Sequence, residues 1–185
     1  LDYTDPRHRQ AGLNGGNDTP IGIVERAHYS MHLDLGGHVP TLLGDLDYTL
    51  RAVPNHHGAL LLIINIAERN GGELPQMDTH QASTGSNWPR TVDCYFDRAI
   101  RWRPNDGLVR QLLGIHYFRR AQYSDAIAAF DEARRLGVTS AELDYNTGLA
   151  YLRLGDIDKA YKYAKSAYAN GYPLPGLRNR LTEAG

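Results

Sequence analysis

From about residue 107 to residue 172, apolar positions recur at spacings of three and four, the pattern of amphipathic helices with one buried face. Four such runs follow one another, and they repeat. Gly114, Tyr117, Ala126, Phe130 and Ala133 return 34 residues later as Gly148, Tyr151, Ala160, Ala164 and Ala167. The intervening text matches in kind, LLGIHYFRRAQYSDAIAAFDEA against NTGLAYLRLGDIDKAYKYAKSA, so each unit reads as two helices and a turn. In the second unit Gly155 and Asp156 mark that turn: glycine suits the left-handed residue that ends one helix, and aspartate caps the next. The small residues have a mechanical reading. Gly114 and Gly148 belong where two helices cross closely, Ala126 and Ala160 let the second helix approach, and Tyr117 and Tyr151 fill the space beside them.

These residues resemble the tetratricopeptide repeat, a helix–turn–helix unit of 34 residues that stacks into a right-handed superhelix. Phe96, Ala99 and Pro104 match the motif's late aromatic, late alanine and terminal proline, and Pro54 fits another terminal proline with Leu46 and Thr49 before it. The resemblance implies an all-α, right-handed superhelical solenoid of about 3.5 repeats, with units at about 23–56, 57–106, 107–140 and 141–174. Unit 57–106 carries 50 residues rather than 34, so an insertion of 16 is implied. The Gly-, Pro- and Ser-containing stretch 70–87 is its predicted place, between helices from Asn55 to Arg69 and from about Pro89 to Arg103. Ile23 to Tyr29 fits either a short strand or a helix, and Val39 to Val53 reads as one helix. Residues 1–22, rich in Gly and Asn without periodicity, are predicted to form an irregular N-terminal arm. At the other end Pro173 and Pro175 precede Leu177 and Leu181, spaced four apart. A capping helix over 175–185 is predicted to cover the last repeat's apolar face.

Composition narrows the function classes. With 42% hydrophobic and 22% charged residues the chain is not wholly disordered. A net charge of −1 gives no general affinity for nucleic acid or membrane. Cys94 is the single cysteine, which excludes an intramolecular disulfide and a cysteine-based zinc cluster. The longest apolar run, Ala59 to Ala67, is about half the ~20 residues needed to span a bilayer. The chain opens on Leu1 rather than methionine, which leaves the compartment open and tilts the expectation slightly towards an exported or periplasmic product over a cytoplasmic one.

Candidate chemistry is sparse. His28 and His32 stand at i and i+4, and His56 and His57 are adjacent, but no spacing supplies a third ligand. A His-based metal-binding or metal-delivery module is therefore the second reading. No serine elbow or phosphate-cradling loop is present, and Gly12, Gly15 and Gly16 neither follow a strand nor open a helix. The carboxylate pairs Asp45/Asp47 and Asp131/Glu132 fall in helical text and read as solvated. No catalytic residue and no cofactor is expected. Arg98, Arg101, Arg103, Arg119 and Arg120 are interleaved with acids and read as an outer helix face, not a nucleic-acid site.

The first reading is a scaffold for a protein or peptide partner. The resemblance implies a concave groove lined by the first helix of each unit, at positions 2, 5, 9, 12 and 13. These are Leu108, Gln111, Ile115, Phe118 and Arg119, then Glu142, Tyr145, Leu149, Leu152 and Arg153 with Asn146 beside them, and Leu61, Asn65 and Arg69 in unit 57–106. Phe118 and Tyr145 are expected to offer apolar bodies, and Gln111, Asn146, Arg119 and Arg153 directional contacts. The carboxylate clamp of chaperone-binding members is not implied, because only Asn146 matches it.

Overall fold

The three–four spacing is realised as helix. The computed structural model describes residues 1–9, 19–25, 39–75 and 91–184, and among these every regular element is helical. The chain divides into two compact units, Leu1–Pro104 and Asn105–Gly185.

The first unit holds a 3-10 turn, Pro6–Arg9, and helices α1 (Pro20–Val24), α2 (Val39–Ala52), α3 (His57–Arg69) and α4 (Val92–Trp102). Helix α1 starts inside the stretch expected to be irregular. The Thr19 side chain accepts a hydrogen bond from the Gly22 N–H, and Pro20 takes the first helical position, where a missing N–H costs nothing. Ile23 and Val24 close this helix; residues 26–38, with His28 and His32, and most of the predicted insertion lie outside the described residues. Leu42, Leu46 and Leu50 of α2, Leu60, Ile63 and Ile64 of α3 and Phe96 of α4 are fully buried. Asp47 is buried too, against the solvated expectation. It lies on the α2 face of Leu43 and Leu50, accepts a hydrogen bond from the Tyr95 hydroxyl at 2.8 Å and pairs with Arg51 at 3.1 Å.

The N-terminal residues pack on the end of α2. Leu1 N donates to the Ala52 carbonyl at 2.7 Å and Tyr3 N to Asn55 Oδ1 at 2.9 Å, while Asn55 Nδ2 donates to Asp2 at 2.9 Å. Arg103 pairs with Asp2 from beyond α4. Burial alone would push the Asp2 carboxyl up, but the hydrogen bonds from Asn55 and Thr4, with Arg103, hold it below the ordinary aspartate value.

The second unit holds α5 (Gly107–Arg119), α6 (Tyr123–Arg135), α7 (Ala141–Arg153), α8 (Ile157–Ala169) and α9 (Gly176–Ala184). Asp106, Ser140 and Asp156 cap the N-termini of α5, α7 and α8. Helices α5 to α8 all end in one motif. After α5, Gln122 N donates to Tyr117 O and Ala121 N to Phe118 O; after α7, Asp156 N donates to Tyr151 O and Gly155 N to Leu152 O. The motif needs a left-handed residue, supplied by Gly155 at φ +80° but by Ala121 at φ +58°.

Within the pairs, packing follows the small residues. A methyl group on Gly114 would stand 2.4 Å from the Phe130 ring, and one on Gly148 would stand 2.7 Å from Cδ2 of Leu177. Where α6 carries Phe130, α8 carries Ala164, so Leu177 of α9 reaches in beside Gly148. Val109, Leu143 and Leu177, each 34 residues from the next, are all fully buried, so the register extends into α9.

Ala121→Gly should stabilise the protein by about 1 kcal/mol, since an L-residue in the left-handed region costs roughly that much. The melting temperature, followed by circular dichroism, should rise by about 2–4 °C, and Ala121→Val should lower it. Asp2 has a depressed folded-state pKa, so its stabilisation is complete above its ordinary value of 3.8 and is lost as pH falls through the lower folded value. Urea titrations should find Asp2→Asn less stable than the parent near neutral pH, with the gap closing below pH 3.8.

Candidate functional site

The expected groove positions fall on α5 and α7, whose starts are set by Asp106 accepting from Leu108 N and Val109 N and by Ser140 accepting from Leu143 N. Gln111, Ile115 and Phe118 follow one another at spacings of four and three along α5, and Tyr145, Leu149 and Leu152 do the same along α7. Each set forms one row. The rows are bridged where Gln111 Nε2 donates to Glu142 Oε2 at 3.4 Å, a long hydrogen bond.

The expected groove residues of α5 and α7 do not share one environment. Arg119 and Arg153 are exposed, and Ile115, Phe118, Asn146 and Leu149 are half-buried. Gln111, by contrast, is only 6% exposed, and its Oε1 is buried without a hydrogen-bond partner. Tyr145 is 8% exposed. Its ring stacks on Tyr172 at 4.1 Å and meets the edge of Tyr168 at 6.4 Å, in a cluster with Ala164, Ala167 and Leu177. The expectation that Tyr145 offers its body to a partner is therefore corrected: the segment leading into α9 covers it. Burial in this cluster also pushes the Tyr172 hydroxyl above its ordinary value. Phe118 leans on Tyr123 at 5.5 Å, which leaves only part of its ring open. Leu108, at the start of α5, is the most open apolar side chain among the expected groove positions, 45% exposed. Near the end of α7, Leu152 and Arg153 form a shallow cleft of about 400 Å³ with Arg180 and Glu183 of α9.

In unit 57–106, Leu61 and Arg69 are exposed on α3 and Asn65 is half-buried. Of the metal candidates, His56 is fully buried with both ring nitrogens engaged. Nδ1 accepts from Ala59 N at 3.1 Å, capping α3, so the ring proton sits on Nε2, which lies 3.2 Å from Glu25 Oε1. The Tyr3 ring lies over His56 at 4.4 Å and meets His57 edge-on at 5.0 Å. Among the described residues no group of three or more His, Cys, Asp and Glu side chains is arranged to hold a metal ion. Nor is any helix of these residues long and apolar enough to cross a membrane.

One polar network was not foreseen from the sequence. Arg134 of α6 reaches Asp131 at 2.9 Å and Asp144 of α7 at 3.1 Å, and its guanidinium lies 5.0 Å from the centre of the Tyr163 ring. Ser166 of α8 donates to the other Asp144 oxygen at 2.6 Å. Three helices are thereby tied through one aspartate, beside a cleft of about 500 Å³ that Arg134 and Asp144 help to line. Both Asp144 oxygens are answered by side chains of neighbouring helices, which is the chemistry of a brace.

Tyr145→Ala should cost about 3–5 kcal/mol of stability, the usual loss for truncating a buried aromatic residue. Arg153→Ala, by contrast, should stay within about 0.5 kcal/mol of the parent. Urea denaturation of the two variants separates the buried position from the open one; equal, small losses would return Tyr145 to the surface.

No protein-family model matches this chain, and no curated protein matches it at a significant level.

Proposed function

We propose that the chain is a non-catalytic scaffold of the tetratricopeptide type, about three and a half repeats in a right-handed superhelix. In this reading it takes a peptide or a partner helix on the face made by the first helices of its repeats. The observation that carries it is the 34-residue register of α5, α7 and α9, in which Val109, Leu143 and Leu177 are all fully buried. Helices that bury equivalent positions turn equivalent positions outward. On α5 and α7 the outward set is Leu108, Ile115 and Leu149 as an apolar platform, with Arg119, Asn146 and Arg153 around it. Apolar area flanked by arginine and amide groups suits a peptide, whose side chains need a greasy seat and whose backbone needs directional partners. Gln111 and Tyr145 support that face from beneath.

Affinity capture followed by mass spectrometry identifies the partner, and a triple variant tests the surface. Leu108→Ala, Arg119→Ala and Arg153→Ala together should weaken binding by about tenfold or more, equivalent to ~1.4 kcal/mol. The helical signal and melting temperature should hold, because all three side chains are exposed. Unchanged affinity in the triple variant would sink the α5–α7 face as the binding surface.

A further inference from the structure

Helix α9 stands in the register of α5 and α7, but its surroundings differ. On α5 and α7 the positions Leu113–Gly114 and Thr147–Gly148 are buried, with α6 packed along α5 and α8 along α7. The same positions on α9 are Leu181 and Thr182. They border an open groove of about 430 Å³ whose opposite wall is Tyr161, Ala164, Lys165 and Tyr168 of α8. Tyr161, Ala164 and Tyr168 are spaced by three and four, a stripe about 10 Å long at 1.5 Å per residue. Tyr161 is 65% exposed, more than any other large hydrophobic side chain among the described residues. Two helices with an apolar seam between them, in the place where α6 lies on α5, make a seat for a third helix.

Charge selects the kind of helix. All three lysines of the chain, Lys159, Lys162 and Lys165, lie on α8, and Arg178 and Arg180 lie on α9, against only Asp158 and Glu183 on the same two helices. Lys159 is paired with Asp156, and the Arg178 guanidinium lies 4.4 Å from the centre of the Tyr168 ring. Lys162 and Lys165 meet no carboxylate among the described residues. This local excess of positive charge sits on a chain whose net charge is −1. We propose that the groove between α8 and α9 docks an acidic amphipathic helix of a partner protein. The helix lays its apolar stripe on Tyr161, Tyr168 and Leu181, and its carboxylates face Lys165 and Arg178, with Lys162 one turn away. This surface uses none of the α5 and α7 residues assigned above, so the two stand separately.

The test titrates the full chain into fluorescein-labelled peptides and follows anisotropy. Three acidic amphipathic helices that differ in the register of their leucine stripe are compared with counterparts carrying lysine for glutamate. At least one acidic peptide should bind saturably, the lysine peptides should not, and binding should weaken as salt rises from about 0.05 to about 0.5 M. Tyr161→Ala and the pair Lys162→Glu, Lys165→Glu should each weaken it about tenfold. Their melting temperatures should match the parent, since these side chains are exposed. The Leu108, Arg119, Arg153 variant should bind the peptide as the parent does. The proposal is overturned by no saturable binding of any acidic peptide up to about 1 mM, by equal binding of the lysine peptides, or by parent-like affinity in the α8 variants. Loss of binding in the Leu108, Arg119, Arg153 variant would place the peptide on the other face and also overturn it. If phosphatidylserine vesicles bind in place of the peptides and the same α8 variants abolish it, the surface belongs to an anionic membrane and the proposal fails.

Discussion

The second unit depends on how closely two helices approach where one of them has no side chain. Glycine inside a helix costs about 0.5–1 kcal/mol relative to alanine, so Gly114 and Gly148 are locally unfavourable. What the cost permits is larger. The Phe130 ring, fully buried against Gly114, contributes roughly 1.5–3 kcal/mol by leaving water. Ala126 and Ala133 on the same helix are small enough not to hold the pair apart. The α5–α6 and α7–α8 turns are three residues each and are closed by a left-handed motif, which also ends α6 and α8.

The first unit settles its polar groups differently. It buries Asp2, Asp47, Asn55 and His56, and each has partners of its own. A buried polar group without a partner costs a few kcal/mol, so the placement of Tyr95, Thr4 and Arg103 is tied to these residues as firmly as apolar packing would tie it. His56 is the clearest case: one nitrogen starts α3 and the other reaches Glu25 at the end of α1.

Helices α5 to α9 were legible in the sequence because their pattern is local, with apolar positions every three or four residues and glycine and aspartate at the breaks. Helix α1 was not, since five residues give no periodicity; the Thr19–Pro20 pair was its only signal. Asp47 was misread because charge was weighed before phase, although its spacing from Leu43 and Leu50 places it on the buried side. The burial of Tyr145 had no local signal at all. It depends on Tyr172 and Leu177, which reach it only once the chain has turned back through α8. His56 was at most a weak metal candidate in the sequence, and its actual partner, a backbone N–H that it caps, is invisible to side-chain spacing.

The exchange of Phe130 for Ala164 divides the second unit into unequal parts. Helices α5 and α6 carry their own filler, whereas α7 and α8 borrow theirs from α9 through Leu177. The first pair is thus stabilised from within, and the last pair leans on its interface with α9. Loss of α9 would open the space beside Gly148 and uncover Tyr145 together, so these three helices should behave as one cooperative block. The smallest independent segment at this end of the second unit is then a trio of helices, and the α7–α8 pair cut from it would not be a free-standing module.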